Sequence, residues 1–114
     1  MKIKTSELIG PALDWAVQEI EYQRMVAEGE HVKQWALDDH RAGASINPYS
    51  TDWLWGGPIL EREGISIYRM TSDWSAAYNP SGATQDGPTP LIAVMRCYVS
   101  SCLGSEVEVP EELL

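Results

Sequence analysis

The stretch TPLIAVMRCYVSSCLG, residues 89–104, decides the fold of this chain of 114 residues. Thr89 suits the N-cap of a helix and Pro90 its first position, where the missing N–H of proline costs no helical hydrogen bond. Gly104 is typical of a helix end. Between these signals the residues are apolar on nearly every side, with Arg96 as the one charge, and a helix that is apolar all round is buried. The stretch therefore predicts the central helix of the domain.

A second helix is predicted from about Pro11 to Val26, with Ser6 as its candidate N-cap and Gly29 as its end. Pro11 either opens this helix or kinks its first turn. The helical spacing of the apolar residues predicts one buried face, which is formed by Ile9, Leu13, Ala16, Val17 and Ile20. Trp15 falls beside that face, and we expect it to be half-buried.

The pattern fades between Glu30 and Ala44. Val32, Trp35 and Ala36 indicate at most a short helix in this segment. Residues 38–41 are polar and indicate a loop. We expect His31 and His40 to be solvated loop residues, and neither has the cysteine spacing of a zinc site.

Short alternating runs predict the strands of a small antiparallel sheet. They are Met1–Lys4, Ile65–Met70, its hairpin partner Trp74–Tyr78, and a closing strand around Val107 and Val109 that ends at Pro110. Asn79–Gly87 is rich in turn residues and is predicted to be a loop, either functional or mobile. The chain is therefore predicted to be one α+β domain, residues 1–114, with two main helices packed on a short antiparallel hairpin or sheet.

The segment 48–62, PYSTDWLWGGPILER, has the composition of a binding surface rather than of a core. We expect Tyr49–Trp55 to be extended or irregular and Pro58 to open a single helical turn. Gly56 and Gly57 either permit a tight turn or leave main-chain amides free to hold a phosphate or carbonyl group.

Arg96 needs a partner, because a buried guanidinium without one costs several kcal/mol. That partner is either a carboxylate of this chain, Asp52 or Glu61, or the anionic group of a ligand. Tryptophans are more numerous than a small core requires, so one or two either pack in the core or stack on a ligand ring. The candidate ligand-binding residues are Tyr49, Ser50, Thr51, Asp52, Trp53, Gly56, Gly57, Trp74 and Arg96.

Composition narrows the function further. A net charge of −9 argues against duplex nucleic acid as a partner. The acidic residues either serve solubility or form a surface that mimics nucleic acid or docks a basic partner. No apolar run is long enough for a membrane span and no signal peptide follows Met1, so we expect a cytoplasmic protein. Cys97 and Cys102 cannot form a disulfide within one helix and are expected to fill core space. No cofactor or metal motif occurs.

Three segments resemble the small NinX-type proteins of lambdoid phages related to P22. They are KTSELIGPALDWAV, YSTDWLWGGPILEREGI and GPTPLIAVMRCYVSSCLGSEVEVPEEL, whereas residues 19–47 depart from the resemblance. The resemblance implies an accessory phage or prophage protein made in the host cytoplasm. It implies no catalytic residue.

We therefore expect a protein that binds a small anionic molecule without catalysis, with a nucleotide-derived host defence signal as the leading candidate. The first alternative is an acidic interaction module that inhibits a host or phage protein. The second is an enzyme that acts on a nucleotide. The sequence leaves the oligomeric state undecided, with a homo-oligomer among the options.

Overall fold

In the computed structural model, which describes residues 1–29 and 31–114, the chain forms helices and two small antiparallel sheets. The side chains of residues 31–33 are outside that description. The helices are α1 (Gly10–Ala27), α2 (His31–Arg41), α3 (Trp53–Glu63) and α4 (Pro90–Leu103). The strands are β1 (Lys2–Lys4), β2 (Ser66–Arg69), β3 (Trp74–Tyr78), β4 (Ala83–Gly87) and β5 (Glu106–Glu108). The predicted α+β class is confirmed.

The helix α4 is the centre of the core, as its sequence predicts. The Thr89 side chain accepts a hydrogen bond from the Ile92 amide at 3.2 Å, and Gly104 follows the last residue with a φ of 92° that suits glycine. The helix packs against β3, β4 and α1. Its fully enclosed side chains, each 0–1% exposed, are Ala93, Val94, Met95, Cys97, Tyr98 and Val99.

The larger sheet has the strand order β2-β3-β4, and β1 pairs with β5 in a separate two-stranded sheet. The strands expected at both chain ends and in the hairpin are therefore confirmed. The prediction of a loop over Asn79–Gly87 is confirmed for residues 79–82, which form a turn, and is wrong for Ala83–Gly87, which pairs with β3 along its whole length. This strand has little β propensity of its own. It forms through its pairing with β3 and its packing on α4.

The helix α1 begins at Gly10, with Ile9 in the N-cap position and no side-chain cap, so Ser6 is not the cap. Ser6 belongs instead to a short 3-10 turn, Thr5–Glu7. Ile9 is 54% exposed, which makes its expected place on the buried face wrong. Its backbone is extended, and the helical periodicity starts only after it. The other predicted members of that face are buried: Leu13, Ala16, Val17 and Ile20.

The helix α2 continues to Arg41, so the predicted loop over residues 38–41 is wrong. His40 is only 1% exposed, against the expectation of a solvated residue, because α2 packs on α1 and the His40 ring stacks on Trp15 at a centroid distance of 4.9 Å. Trp15 is half-buried, as predicted. Glu30, where the sequence pattern fades, lies outside the described residues. So do the side chains of His31 and Val32.

The two cysteines differ in environment. Cys97 is buried, and burial raises the pKa of its thiol to about 11, which keeps it protonated. Cys102 is exposed, so its expected core role is wrong. Five residues along a helix turn the side chain by about 140°, away from the face on which Cys97 lies. Within the described residues, no helix has the length and apolarity that a bilayer crossing requires.

Candidate functional site

Asp52, within the candidate segment 48–62, is the N-cap of α3, because its side chain accepts a hydrogen bond from the Leu54 amide at 2.9 Å. The helix starts at Trp53, so the extended conformation expected for Tyr49–Trp55 is wrong for its last three residues. Pro58 lies inside this helix and does not open it. Its missing N–H removes the helical hydrogen bond to the carbonyl four residues earlier, that of Leu54, which is 75% exposed to solvent.

Gly56 and Gly57 belong to α3, so the first predicted alternative, a tight turn, is wrong. The second alternative, amides free for a ligand, is wrong for Gly56, whose N–H donates to the Asp52 carbonyl at 2.9 Å. Gly56 serves close packing instead. A Cβ atom there would lie 2.3 Å from the Tyr49 carbonyl oxygen and 2.8 Å from a Leu91 methyl group. At Gly57 the nearest atom, in the Trp53 ring, would be 3.7 Å away.

Tyr49 and Ser50 are buried and hold the segment in place. Tyr49 is 5% exposed and meets the Trp55 ring edge-on at 5.9 Å, and burial raises the pKa of its hydroxyl to about 12. The Ser50 amide donates to an Asp14 side-chain oxygen at 2.7 Å. Burial raises the pKa of Asp14, while this contact with Ser50 opposes the rise.

Thr51 and Trp53 face the beginning of α4 across a cleft of about 270 Å³, which we call the α4 cleft. Its lining residues are Ser50, Thr51, Trp53, Thr89, Pro90, Leu91 and Ile92. Trp53 is 52% exposed. The cleft therefore presents an open aromatic face next to a helix N-terminus, where the dipole favours negative charge.

Arg96 lies in a second cleft of about 310 Å³, which we call the Arg96 cleft. Its Nε donates to the Leu8 carbonyl at 2.8 Å and its Nη1 to the Asp86 carbonyl at 2.9 Å. The predicted pairing with Asp52 or Glu61 is wrong, because within the described residues no carboxylate oxygen comes within 4.0 Å of this guanidinium. Burial lowers the pKa of Arg96, and the nearby charge of Asp73 partly offsets this.

The remaining residues of the Arg96 cleft are polar, apart from the segment that ends β4. They are Ser6, Asp73, Thr84, Gln85, Asp86, Gly87 and Pro88. A Cβ atom at Gly87 would lie 2.7 Å from the Ala93 amide nitrogen, so glycine allows β4 to approach α4 closely. Through these two hydrogen bonds Arg96 connects Leu8, which follows the 3-10 turn, with Asp86 in β4.

Trp74 belongs to neither cleft lining. It is half-buried in β3, and the Arg69 guanidinium lies 5.4 Å from its ring centroid. The nine predicted site residues are therefore divided. Ser50, Thr51 and Trp53 share the α4 cleft, and Arg96 lies in the next cleft. Tyr49, Asp52, Gly56 and Gly57 support the first group, and Trp74 lies apart.

A sequence profile described as Bacteriophage P22, NinX matches residues 4–101. The chain belongs to this NinX family. The match includes all nine predicted site residues and confirms the resemblance in the first two quoted segments and in the third as far as residue 101. It also covers residues 19–47, where that resemblance faded. No curated protein matches the chain.

Sequence reasoning missed a charged cluster that connects α1, α3 and α4 in this chain. The Tyr98 hydroxyl donates to Glu21 at 2.7 Å and accepts from Arg24 at 3.2 Å and from Arg62 at 3.0 Å. Glu63 accepts from both arginines at 2.8 Å. The opposite charges on α1 and α3 would have indicated this cluster if α3 had been predicted over its full length. They are Glu21 and Arg24 on α1, and Arg62 and Glu63 on α3.

Sequence reasoning also missed the surroundings of His40. Gln18 is buried, and its Nε2 lies 3.2 Å from His40 Nδ1 and donates to the Ser45 carbonyl at 3.0 Å. On the other side of the ring, His40 Nε2 lies 3.5 Å from Glu19, which also binds Arg41 at 2.6 Å. The described residues contain no cluster of three or more metal-ligating side chains, here or elsewhere.

Proposed function

We propose that this NinX-family chain captures a small anionic molecule, with the Arg96 cleft as the site of its negative group. As a finer proposal, the molecule is a nucleotide-derived defence signal and the protein acts in the host cytoplasm. Capture requires no catalytic residue. It requires a positive group that is held in place and is not already neutralised.

Arg96 is the observation that carries this proposal. Two main-chain carbonyls position its guanidinium, and these two contacts leave three of its five N–H donors for a ligand. Arg62 in the same protein offers a contrast, because both of its terminal nitrogens donate to Glu21 at 2.9 Å. Arg62 is neutralised by a bound carboxylate, whereas within the described residues Arg96 has no carboxylate oxygen within 4.0 Å and keeps its remaining donors at the surface of a cleft.

The first experiment is mass spectrometry of whatever leaves the purified protein on denaturation. An intact anionic molecule is the expected result. A chemically processed molecule would favour an enzyme, and the absence of any molecule would favour a protein partner.

The variant Arg96→Met tests the residue itself. Binding of the captured molecule should weaken by about 2–5 kcal/mol, the usual loss for a buried charge-assisted contact. The empty protein should also lose about 1–3 kcal/mol of stability, because Arg96 no longer bonds the two carbonyls. Arg69→Met is the matched control, since it removes the same charge from β2, the edge strand of the larger sheet that does not pair with β4. Equal weakening of binding by both variants would contradict the proposal.

Trp53 provides a second readout, because the α4 cleft brings its open ring face close to the start of α4. Cyclic and linear dinucleotides and ADP-ribose derivatives should change the tryptophan emission if their rings stack there. The variant Trp53→Phe should abolish the change. A signal that persists in this variant would assign the ring contact to another tryptophan.

A second candidate function, inhibition of a host or phage protein, rests on the first turn of α3. Trp53, Leu54 and Trp55 are 52%, 75% and 40% exposed, and consecutive exposed residues of this size are typical of protein interfaces. Leu54→Ser tests it, because Leu54 lines neither of the two clefts. If Leu54→Ser abolishes the inhibition of the host or phage protein and leaves small-molecule binding unchanged, the interface is favoured.

A further inference from the structure

The Arg96 cleft contains charges of both signs. Asp73 and Asp86 line the same cleft as the guanidinium, and both residues are exposed. Neither carboxylate is in an ion pair within 4.0 Å among the residues that the structure describes. Arg96 contacts the main-chain oxygen of Asp86 and not its carboxylate. The cleft thus offers one free cation and two free anions to a ligand.

This arrangement does not suit a highly charged anion. A pyrophosphate group would meet one guanidinium and be repelled by two carboxylates, and like charges at close range in a partly desolvated site are costly. A singly charged group can be neutralised by Arg96 alone. The carboxylates are then complementary to N–H groups or to a positive charge on the same ligand.

We infer that the ligand of the Arg96 cleft combines one singly charged anionic group with an adjacent ammonium or N–H-rich group. This inference rests on the proposed function and narrows its ligand class. Ser6, Thr84 and Gln85 fit such a ligand, because hydroxyl and amide groups both donate and accept hydrogen bonds. The chemistry is shared by an amino-acid-like zwitterion and by a phosphodiester of a guanine nucleotide, whose base presents N–H donors.

The test compares matched small probes by following the amide signals of Thr84–Gly87 in NMR titrations. The first arm uses butanoate and 4-aminobutanoate, which differ only by the ammonium group. The second arm uses 3′,5′-cyclic GMP, with one negative charge, and pyrophosphate. We expect 4-aminobutanoate to bind roughly tenfold or more tightly than butanoate, the effect of one charged hydrogen bond. Cyclic GMP should bind more tightly than pyrophosphate, and the tighter of the two favoured probes indicates the source of the natural ligand.

Asp73→Asn and Asp86→Asn assign the effect to the cleft. Either variant should reduce the preference for 4-aminobutanoate over butanoate at least threefold, whereas the control Asp39→Asn on α2 should leave it unchanged. Tighter binding of pyrophosphate than of cyclic GMP, or a preference that survives both cleft variants, would overturn this inference while leaving anion capture intact. If no probe shifts these amides and Arg96→Met is without effect on the captured molecule, the site itself is wrong.

Discussion

Gln18 fixes the tautomer of neutral His40 through hydrogen bonds of fixed direction. The Asn47 amide donates to Gln18 Oε1 at 2.9 Å, so the Gln18 Nε2 group must point toward the Ser45 carbonyl and His40 Nδ1. His40 Nδ1 therefore accepts, and a neutral ring carries its proton on Nε2, toward Glu19. Protonation of Nδ1 would bring two donors together at 3.2 Å. The folded protein thus favours neutral His40.

Stability should consequently fall as the pH drops below about 6.5. Burial lowers the pKa of His40 below its ordinary value of 6.5, with Glu19 raising it and Arg41 lowering it to a smaller extent. The unfolded chain then binds the proton first, so acid favours unfolding, with a limiting slope of about 1.4 kcal/mol per pH unit for one group. Urea melts of the wild type and His40→Gln between pH 7.5 and 5 measure this. Parallel pH profiles for the two proteins would refute the assignment to His40.

Arg96 illustrates how far single residues could be interpreted from sequence. One charge in an apolar helix predicts that a partner exists, and the structure supplies two. Both partners are main-chain carbonyls, at Leu8 and Asp86, and a carbonyl has no signature in the sequence because every residue carries one. The identity of the partners therefore depended on the packing of β4 and of the turn before α1.

At the scale of elements, α4 could be predicted almost to the residue because its signals are local. Thr89, Pro90 and Gly104 mark its ends without reference to the rest of the chain. The helix α3 escaped prediction because Gly56, Gly57 and Pro58 all disfavour a helix interior. Its N-cap at Asp52 and the packing of Gly56 on Tyr49 offset that local preference.

The two adjacent glycines of α3 should respond to substitution with opposite sign. Gly56→Ala should cost about 1–3 kcal/mol, because its methyl group would overlap the Tyr49 carbonyl oxygen at 2.3 Å. Gly57→Ala should be neutral or stabilise by up to about 1 kcal/mol, since alanine favours the helix and the nearest atom is 3.7 Å away. Thermal and urea melts of both variants check this pair. Equal effects would show that α3 does not pack on Tyr49 as described.

The cluster around Tyr98 should stabilise the contact of α4 with α1 and α3. Tyr98→Phe keeps the ring and removes the hydroxyl that joins Glu21, Arg24 and Arg62, so we expect a loss of about 1–3 kcal/mol. Tyr68→Phe is the control, because Tyr68 is 47% exposed. Its effect should stay within about 0.5 kcal/mol in the same denaturant melts. A silent Tyr98→Phe would mean that water replaces the hydroxyl without cost.

At the scale of the whole molecule, the charge of −9 acts against the capture of anions. Long-range repulsion slows the approach of any net-negative ligand, and the local field of Arg96 opposes it in the cleft. A dipolar ligand with no net charge avoids this repulsion. The overall acidity and the mixed charges of the Arg96 cleft therefore favour the same ligand class.

Salt should change the association rates of a net-negative ligand and of a basic partner in opposite directions. Between about 0.01 M and 0.15 M salt the screening length shortens from about 30 Å to about 8 Å. Association of cyclic GMP should then become faster, because salt weakens its repulsion by the acidic protein, and the rate for zwitterionic 4-aminobutanoate should hardly change. An oligolysine peptide, as a probe of the acidic surface, should associate more slowly at the higher salt. NMR line shapes for the small probes and stopped-flow tryptophan fluorescence for the peptide measure these rates. If cyclic GMP also slows with salt, a positive local field outweighs the net charge, and the carboxylates of the Arg96 cleft do not act on the ligand as inferred.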